Sequence, residues 1–519
     1  MMAGSEWLRQ TRRTYFGNAA AQRDFRVQLR GNRSMLLFGL YLAILITVAY
    51  FKYGDIAGNT QISVVQAQRE LREFYTLIVS LLAGMVAIVT PGLAATTIVM
   101  ERQRRSLDLV FSAPVAPRYY LVGKTIAVYR YIWMLLILSL PVTAACVVLG
   151  GASWSDVLTV YGLLSIHGLL FAAIGLLMST VSSKPVAAVV WTYVAVAGYL
   201  IASTGTAAAY SYRPMMGGGE VPFMVGLSPF SAIFTVGTYT PMFGYHVPNY
   251  LLASLAILVG VRLCLLGAGS ILSEGRETAN LRIHWILMAT VCAFGLTYWL
   301  GVAGGYASMA SSTAFGRSDP RAAVLGYGLF WVLTPLVLAI PTLSAYGDDG
   351  FGRQRDNGWF DVRRTFDGTP AGALPYIFLM VLTTALAGVI GLVTAGGKMP
   401  SALFAVYVAY AMGFWGLFWA IARVASSYGI GLKAARTAVV AAVVLLIALP
   451  VPFLSAVSAQ SLGQDESSAW DFYLLRPVLM FNHYRPEVAI GYGIGLLAVA
   501  MALNSWSEWN RKRLVATRA

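Results

Sequence analysis

The sequence predicts an all-α polytopic membrane protein of about twelve transmembrane helices, arranged as two pseudo-repeated six-helix halves with both termini cytoplasmic. Three observations carry that expectation. The chain is apolar with few charges, its apolar runs have spanning length, and short motifs recur about 240 to 250 residues apart.

Of 519 residues, 58% are hydrophobic and 11% charged, with a mean hydropathy of +0.68. A soluble chain carries about 25% charged residues. Too little polar side chain is present to cover a water-facing surface, so the solvent is largely lipid. The net charge of +15 then reads as an excess of Lys and Arg in cytoplasmic loops. The apolar bulk argues against a nucleic-acid partner. Cys146, Cys264 and Cys292 all lie in apolar runs and suggest neither a disulfide frame nor a metal cluster.

Residues 1–33 form an Arg-rich cytoplasmic tail, longer than the basic start of a signal peptide. In "QRDFRVQLRGNR", Phe25, Val27 and Leu29 alternate with Arg23, Arg26, Arg30 and Arg33, the pattern of a short helix along the inner membrane surface. A spanning helix needs about 20 apolar residues. The first half (34–273) offers Ser34–Phe51, Tyr75–Met100, Tyr120–Leu149, Val157–Thr180, Pro185–Thr204 and Tyr250–Leu272. After a cytoplasmic linker (274–284), the second half (285–507) offers Trp285–Gly305, Ala322–Tyr346, Leu374–Ala395, Ser401–Val424, Ala438–Val457 and Glu487–Trp506; a tail (508–519) follows. With the N-terminus inside, nine of the 37 Lys and Arg fall outside: Lys52, Arg69, Arg72, Arg213, Arg317, Arg321, Lys398, Arg476 and Arg485. That is a bias of about three to one toward the cytoplasm.

The repeat shows in "MFGYHVPNY" at Met242 and "MFNHYRPEV" at Met480, in Thr90-Pro91 and Thr334-Pro335, and in Arg102-Gln103-Arg104 and Arg353-Gln354-Arg355. Each half holds an even number of spans, so both run the same way through the bilayer. A translocation path between them is the natural geometry of parallel-repeat transporters.

The cytoplasmic loop 101–124, "ERQRRSLDLVFSAPVAPRYYLVGK", ends in Gly123-Lys124-Thr125, which is also the tail of a phosphate-binding loop. That motif needs a first glycine where Arg118 stands, and a soluble strand and helix around it. Gly123 instead opens a span. Nucleotide binding by this segment is excluded. Ser106 is placed to cap a short helix whose Leu107, Val110 and Phe111 make an apolar face, ended by Pro114 and Pro117. Glu101, where span two leaves the bilayer, needs a partner from Arg104, Arg105 or an N-terminal Arg.

This loop resembles the one after span two in type-2 exporter permeases, membrane subunits of ABC transporters. The shared pattern is Glu101 closing the span, the patch Arg102 to Arg105, the turn Leu107 to Phe111 with Asp108, Ala113-Pro114, and Gly123-Lys124. "RDFRVQLRGNRSMLLFGLYL" and "GLSPFSAI" resemble the same family's interfacial helix and the step before its sixth span. The resemblance covers roughly residues 20–272 well and the second half weakly. It implies a coupling helix gripped by a cytosolic ABC ATPase, two copies in all, with ATP and Mg held there. It implies no catalytic, cofactor or metal residues on this chain, and a multi-pass place in the plasma (bacterial inner) membrane. The second loop (347–373) departs from the pattern. Arg353, Arg355, Asp361, Arg363 and Arg364 are its candidates for a second contact, and the Gly-Lys opening is missing.

Residues 213–248 are too long for a loop and too broken for a span. Two half-helices entering partway from the outer face fit, and in the family such segments form an outer gate, here with Glu220, Pro229, Phe230 and Pro248. Met215, Met216, Met224, Met242 and His246 follow no metal-ligand spacing, and His167 reads as a helix contact.

The function expected is an ATP-driven exporter's permease, moving a small molecule, lipid or peptide. The alternative is an ion-coupled secondary transporter, which also favours two parallel six-span repeats. Against it stand few intramembrane acids and no Gly-x-x-x-Asp-Arg-x-Gly-Arg-Arg pattern after span two.

Overall fold

The computed structural model describes residues 18–29, 32–58, 63–107, 112, 117–211, 223–273, 278–302, 360–367, 370–395, 401–427 and 486–516. The chain separates into two compact units, Met1–Ser273 and Glu274–Ala519.

Unit one begins with α1 (Ala19–Leu29) and α2 (Asn32–Gly58). Helix α3 (Val64–Ala95) starts well before the apolar run at Tyr75, because a capping box rather than hydropathy sets its first turn. Gln66 N–H donates to Ser63 Oγ at 3.3 Å, and Ser63 N–H donates back to Gln66 Oε1 at 3.1 Å. Pro91 lies inside α3, and the helix breaks at Thr96 before α4 (Thr97–Gln103) resumes. Helix α6 fills the gap there: Ser179 Oγ accepts from Ile98 N–H at 3.1 Å and Val99 N–H at 3.0 Å.

Helices α5 (Pro117–Val148), α6 (Trp154–Val181) and α7 (Pro185–Ser211) follow. With lipid as solvent, packing and internal hydrogen bonds hold such helices together. Ile78, Leu82, Ile132, Leu164 and Phe171 are fully buried at the centre. The Tyr161 hydroxyl joins α6 to α5, at 2.8 Å from Ser139 Oγ and 2.9 Å from Thr143 Oγ1.

Residues 223–248 differ from the expected pair of half-helices. They form 3-10 turns at Phe223–Leu227 and Pro229–Thr235, then the strands β1 (Tyr239–Met242) and β2 (Tyr245–Pro248). The strands pair antiparallel through the two-residue turn Phe243-Gly244, both at positive φ as a tight hairpin requires. Pro229, Pro241 and Pro248 each lack the amide that an α-helix interior uses. This short hairpin sits within an otherwise helical chain. Helix α8 (Asn249–Leu272) closes the unit against α6.

In unit two, α9 (Thr278–Val302) packs on α10 (Ala373–Thr394), and α11 (Ser401–Ser427) packs on α12 (Pro486–Ala516). The last pair meets backbone to backbone: a Cβ on Gly493 would lie 2.5 Å from Ala409 C, and one on Gly413 2.3 Å from Gly493 O. Thr384 Oγ1 of α10 lies 3.1 Å from the Tyr407 hydroxyl of α11, the same kind of bridge that Tyr161 makes in unit one.

Eight helices among the described residues are long and apolar enough to cross a membrane, and Phe38–Gly54 and Pro185–Ile201 are shorter apolar helices. The expected spans Ala322–Tyr346 and Ala438–Val457 lie outside the described residues. The protein is membrane-embedded and polytopic.

Candidate functional site

Three pieces of unit one that are remote in sequence meet at a cluster of four charges. Asn18 starts it, by capping α1: Oδ1 accepts from Ala21 N–H at 3.3 Å. The same fully buried side chain donates from Nδ2 to Tyr119 O at 3.1 Å, which docks α1 onto the first turn of α5. Gly123 makes the approach possible, since a Cβ there would sit 2.7 Å from Asn18 Oδ1. Gly-Lys-Thr is therefore a packing sequence here. Thr125 Oγ1 donates to Leu121 O at 2.9 Å, within its own helix.

Docking α1 brings Arg23 and Asp24 against Glu101 at the end of α4. Lys124, one turn after Tyr120 on α5, completes the set. Its ammonium lies 2.6 Å from Glu101 Oε1 and 2.5 Å from Asp24 Oδ2, the latter an ion pair without hydrogen-bond geometry. Arg23 Nη2 donates to Glu101 Oε1 at 3.1 Å, and its Nε donates to Asp24 Oδ1 at 3.1 Å. The Tyr120 hydroxyl donates to Glu101 Oε2, and the Lys124 ammonium stands 5.3 Å from the Tyr120 ring centroid. Two acids and two bases balance, so no net charge is stranded. Burial works against the Arg23 charge, but Asp24 and then Glu101 more than offset it and hold the guanidinium above its ordinary pKa. Side-chain exposure runs from 4% at Lys124 through 14% and 17% at Asp24 and Glu101 to 58% at Arg23, so the cluster is buried on its α5 side and open at Arg23.

The α4–α5 loop is anchored just beyond. Arg102 donates to Thr180 O at 3.0 Å and Ser182 O at 3.2 Å, capping the carboxyl end of α6. Arg105 has φ +54, which turns the chain after α4. One sequence expectation changes here. Ser106 Oγ donates back to Glu101 O at 3.1 Å. Leu107 is 6% exposed and packs in the unit's own core, so it is an anchor and not part of a docking face. Arg104, Arg105, Ser112 and Arg118 are exposed. Asp108, Val110, Phe111 and Pro114 lie outside the described residues.

Glu101 and Lys124 are thus brought together, while among the described residues Arg104 and Arg105, the nearest candidates to pair the acid, form no ion pair with it. Sequence reasoning missed Asn18, Asp24 and Tyr120. Asp24 carried a signal, as the one acid of a basic amphipathic helix; Tyr120 carried a weaker one, four residues before a lysine.

In unit two, Arg353 and Arg355 lie outside the described residues. Asp361 caps a 3-10 turn (Val362–Arg364) by accepting from Arg363 N–H at 3.0 Å, and pairs with Arg364 at 3.5 Å. Arg282 of α9, buried, donates to Thr365 O at 2.7 Å and stacks 5.2 Å from the Tyr376 ring centroid. Among the described residues this loop is tied to α9 by a cation on a carbonyl, and no acid–lysine pair of the unit-one kind is present. Phe360, Val362 and Phe366 are exposed on it.

Of the expected gate residues, Glu220 lies outside the described residues. Pro229 is buried at the start of its 3-10 turn, Phe230 packs on the unit's core, and Pro248 ends β2 directly before α8. The segment reaches deep: the His167 ring, near the middle of α6, and the Tyr199 hydroxyl of α7 both contact Leu227 O, at 3.0 and 2.5 Å. No family model matches the chain, and no curated protein matches it.

Proposed function

We propose that this chain is the membrane-spanning permease of an ATP-driven exporter of the type-2 ABC class. It would cross the plasma membrane twelve times with both termini in the cytosol, and its ATPase subunits would be separate chains. The observation that carries the reading is the four-charge junction. It ties the interfacial helix α1, the end of α4 and the start of α5 together immediately beside the loop that resembles a coupling loop. A load on that loop enters at Glu101 and is passed to α5 through Lys124 and to α1 through Arg23. The anchoring of Leu107 in the core and of Arg102 on α6 stiffens the same path. Exposed Arg104, Arg105, Ser112 and Arg118 leave polar surface beside the loop for a cytosolic partner.

The two units repeat helix pairings and a hydroxyl bridge, which supports duplication of one six-span half. The second loop, held by Arg282, would receive the second ATPase through Phe360, Val362 and Arg363. The gate reading of residues 213–248 is supported by irregular backbone beside the centre of α6, where such backbone is tolerated only against protein or water.

The test is purification of the chain from its native membranes, with mass spectrometry of what accompanies it and an ATP turnover assay. The expected result is an ABC-type ATPase in the complex, turnover by the complex, and none by the stripped chain. An intact chain accompanied by no ATPase, or one that hydrolyses ATP alone, contradicts the proposal.

A further inference from the structure

His167 is fully buried in α6, and both of its ring nitrogens face backbone carbonyl oxygens: Nδ1 lies 2.8 Å from Leu163 O and Nε2 3.0 Å from Leu227 O. A carbonyl oxygen only accepts. An imidazole with one proton can donate to one of the two, leaving lone pair against lone pair at the other; only a ring with two protons satisfies both. The two carbonyls differ in kind. Leu163 O belongs to the turn of α6 before His167, so that contact is local. Leu227 O belongs to the 3-10 turn Phe223–Leu227, 60 residues away in sequence, so that contact joins two elements.

We propose that His167 is a proton-operated latch on residues 223–235. With one proton, the ring has a choice between its own helix and the 3-10 turn. With two, it holds both, and the turn is fastened to α6. Release does not orphan the carbonyl, because the Tyr199 hydroxyl donates to Leu227 O from α7. Among the described residues, Thr204 Oγ1 of α7 lies 3.1 Å from Ser228 Oγ, a tether that does not titrate in this range, and Ser231 Oγ donates to Ser228 O at 3.0 Å within the segment. Around the ring, α6 itself presents Phe171, with ring centroids 6.4 Å apart, and α7 presents Tyr199, whose hydroxyl donates to the same Leu227 O. Among the described residues no carboxylate, ammonium or guanidinium acts on the ring. Tyr199 is the titratable group that shares its second contact. The latch is a property of the chain alone and stands apart from any ATPase or substrate.

The experiment is hydrogen–deuterium exchange of the full chain in nanodiscs at about pH 5 and about pH 8, bracketing the ordinary imidazole pKa, with rates corrected for intrinsic exchange. The latch predicts that the Ser228 and Ser231 amides exchange about tenfold more slowly at the acid pH (about 1.4 kcal/mol at tenfold). In His167→Gln, whose amide stays neutral at both pH values, the difference disappears. The same pH difference in wild type and His167→Gln overturns the latch, as does its absence from wild type. Should His167→Gln fail to fold, nitrogen-15 NMR decides on a chain whose other histidines, His246, His284 and His483, are replaced by Gln. A ring passing from one protonated nitrogen to two across that range, as the 223–235 exchange slows, supports the latch. A ring that never gains the second proton refutes it.

Discussion

Removing the Lys124 ammonium while keeping its stem, as in Lys124→Met, strands the acids it separates. In the native cluster Lys124 touches both carboxylates, at 2.5 and 2.6 Å, and is itself 4% exposed. The variant leaves Asp24 and Glu101, 14% and 17% exposed, facing each other with Arg23 and the Tyr120 hydroxyl as remaining partners. Loss of one partner from a buried ion pair costs about 3–5 kcal/mol. Arg23 still compensates Glu101 but is itself more than half exposed, so the low end, about 3 kcal/mol, applies. In a unit of this size about 2–4 °C of melting temperature follows each kcal/mol, which predicts a fall of about 6–12 °C for protein in nanodiscs. The cycle with Glu101→Gln is the sharper readout. Neutralising the acid in the Lys124→Met background should recover part of the loss, giving a coupling of about 1–3 kcal/mol. A loss under about 1 kcal/mol, or two losses that simply add, would show that the four charges do not act as a unit.

Two further outcomes follow from the same geometry. Gly123→Ala places a methyl 2.7 Å from Asn18 Oδ1 and should lift α1 off α5 at a cost of about 1–3 kcal/mol; Asn18→Ala in the same chain should relieve part of that cost. Melting of the two single variants and the double variant checks it. Tyr161→Phe should cost about 1 kcal/mol by removing a hydroxyl that bridges two helices through Ser139 and Thr143, and Tyr407→Phe, with one partner, should cost less; parallel melts compare them.

What could be read from sequence followed the strength of the local signal. Apolar runs place the long helices because lipid leaves the backbone no other partner. Helix starts are less legible: α3 begins at Val64 because Ser63 and Gln66 cap each other, a local hydrogen-bond effect that hydropathy does not register. Glu101 is recognisable as an acid in need of a partner. Which partner it takes depends on α1 docking through Asn18, 101 residues from Tyr119 in sequence, and no periodicity reports contacts of that range. The Pro and Gly content of residues 223–248 announces broken structure. It does not separate half-helices from 3-10 turns and a hairpin, because both relieve the missing proline amides. Leu107 reads as one residue of an exposed amphipathic face, whereas it is buried in the unit's own core two residues after the positive φ at Arg105, a turn of which an arginine gives no hint.

The proposed exporter role rests on a cytosolic ATPase gripping the α4–α5 loop, and exposed Ser112 sits within that loop. The most direct measurement replaces it with a photo-crosslinking amino acid in native membranes, with exposed Phe243 of the hairpin as control. An ABC-type ATPase captured from position 112 and not from 243, and lost when Val110 and Phe111 are changed to Asp in a chain that still inserts, is the predicted result. An intact, inserted chain that captures no ATPase at 112, or captures it equally at both positions, contradicts it.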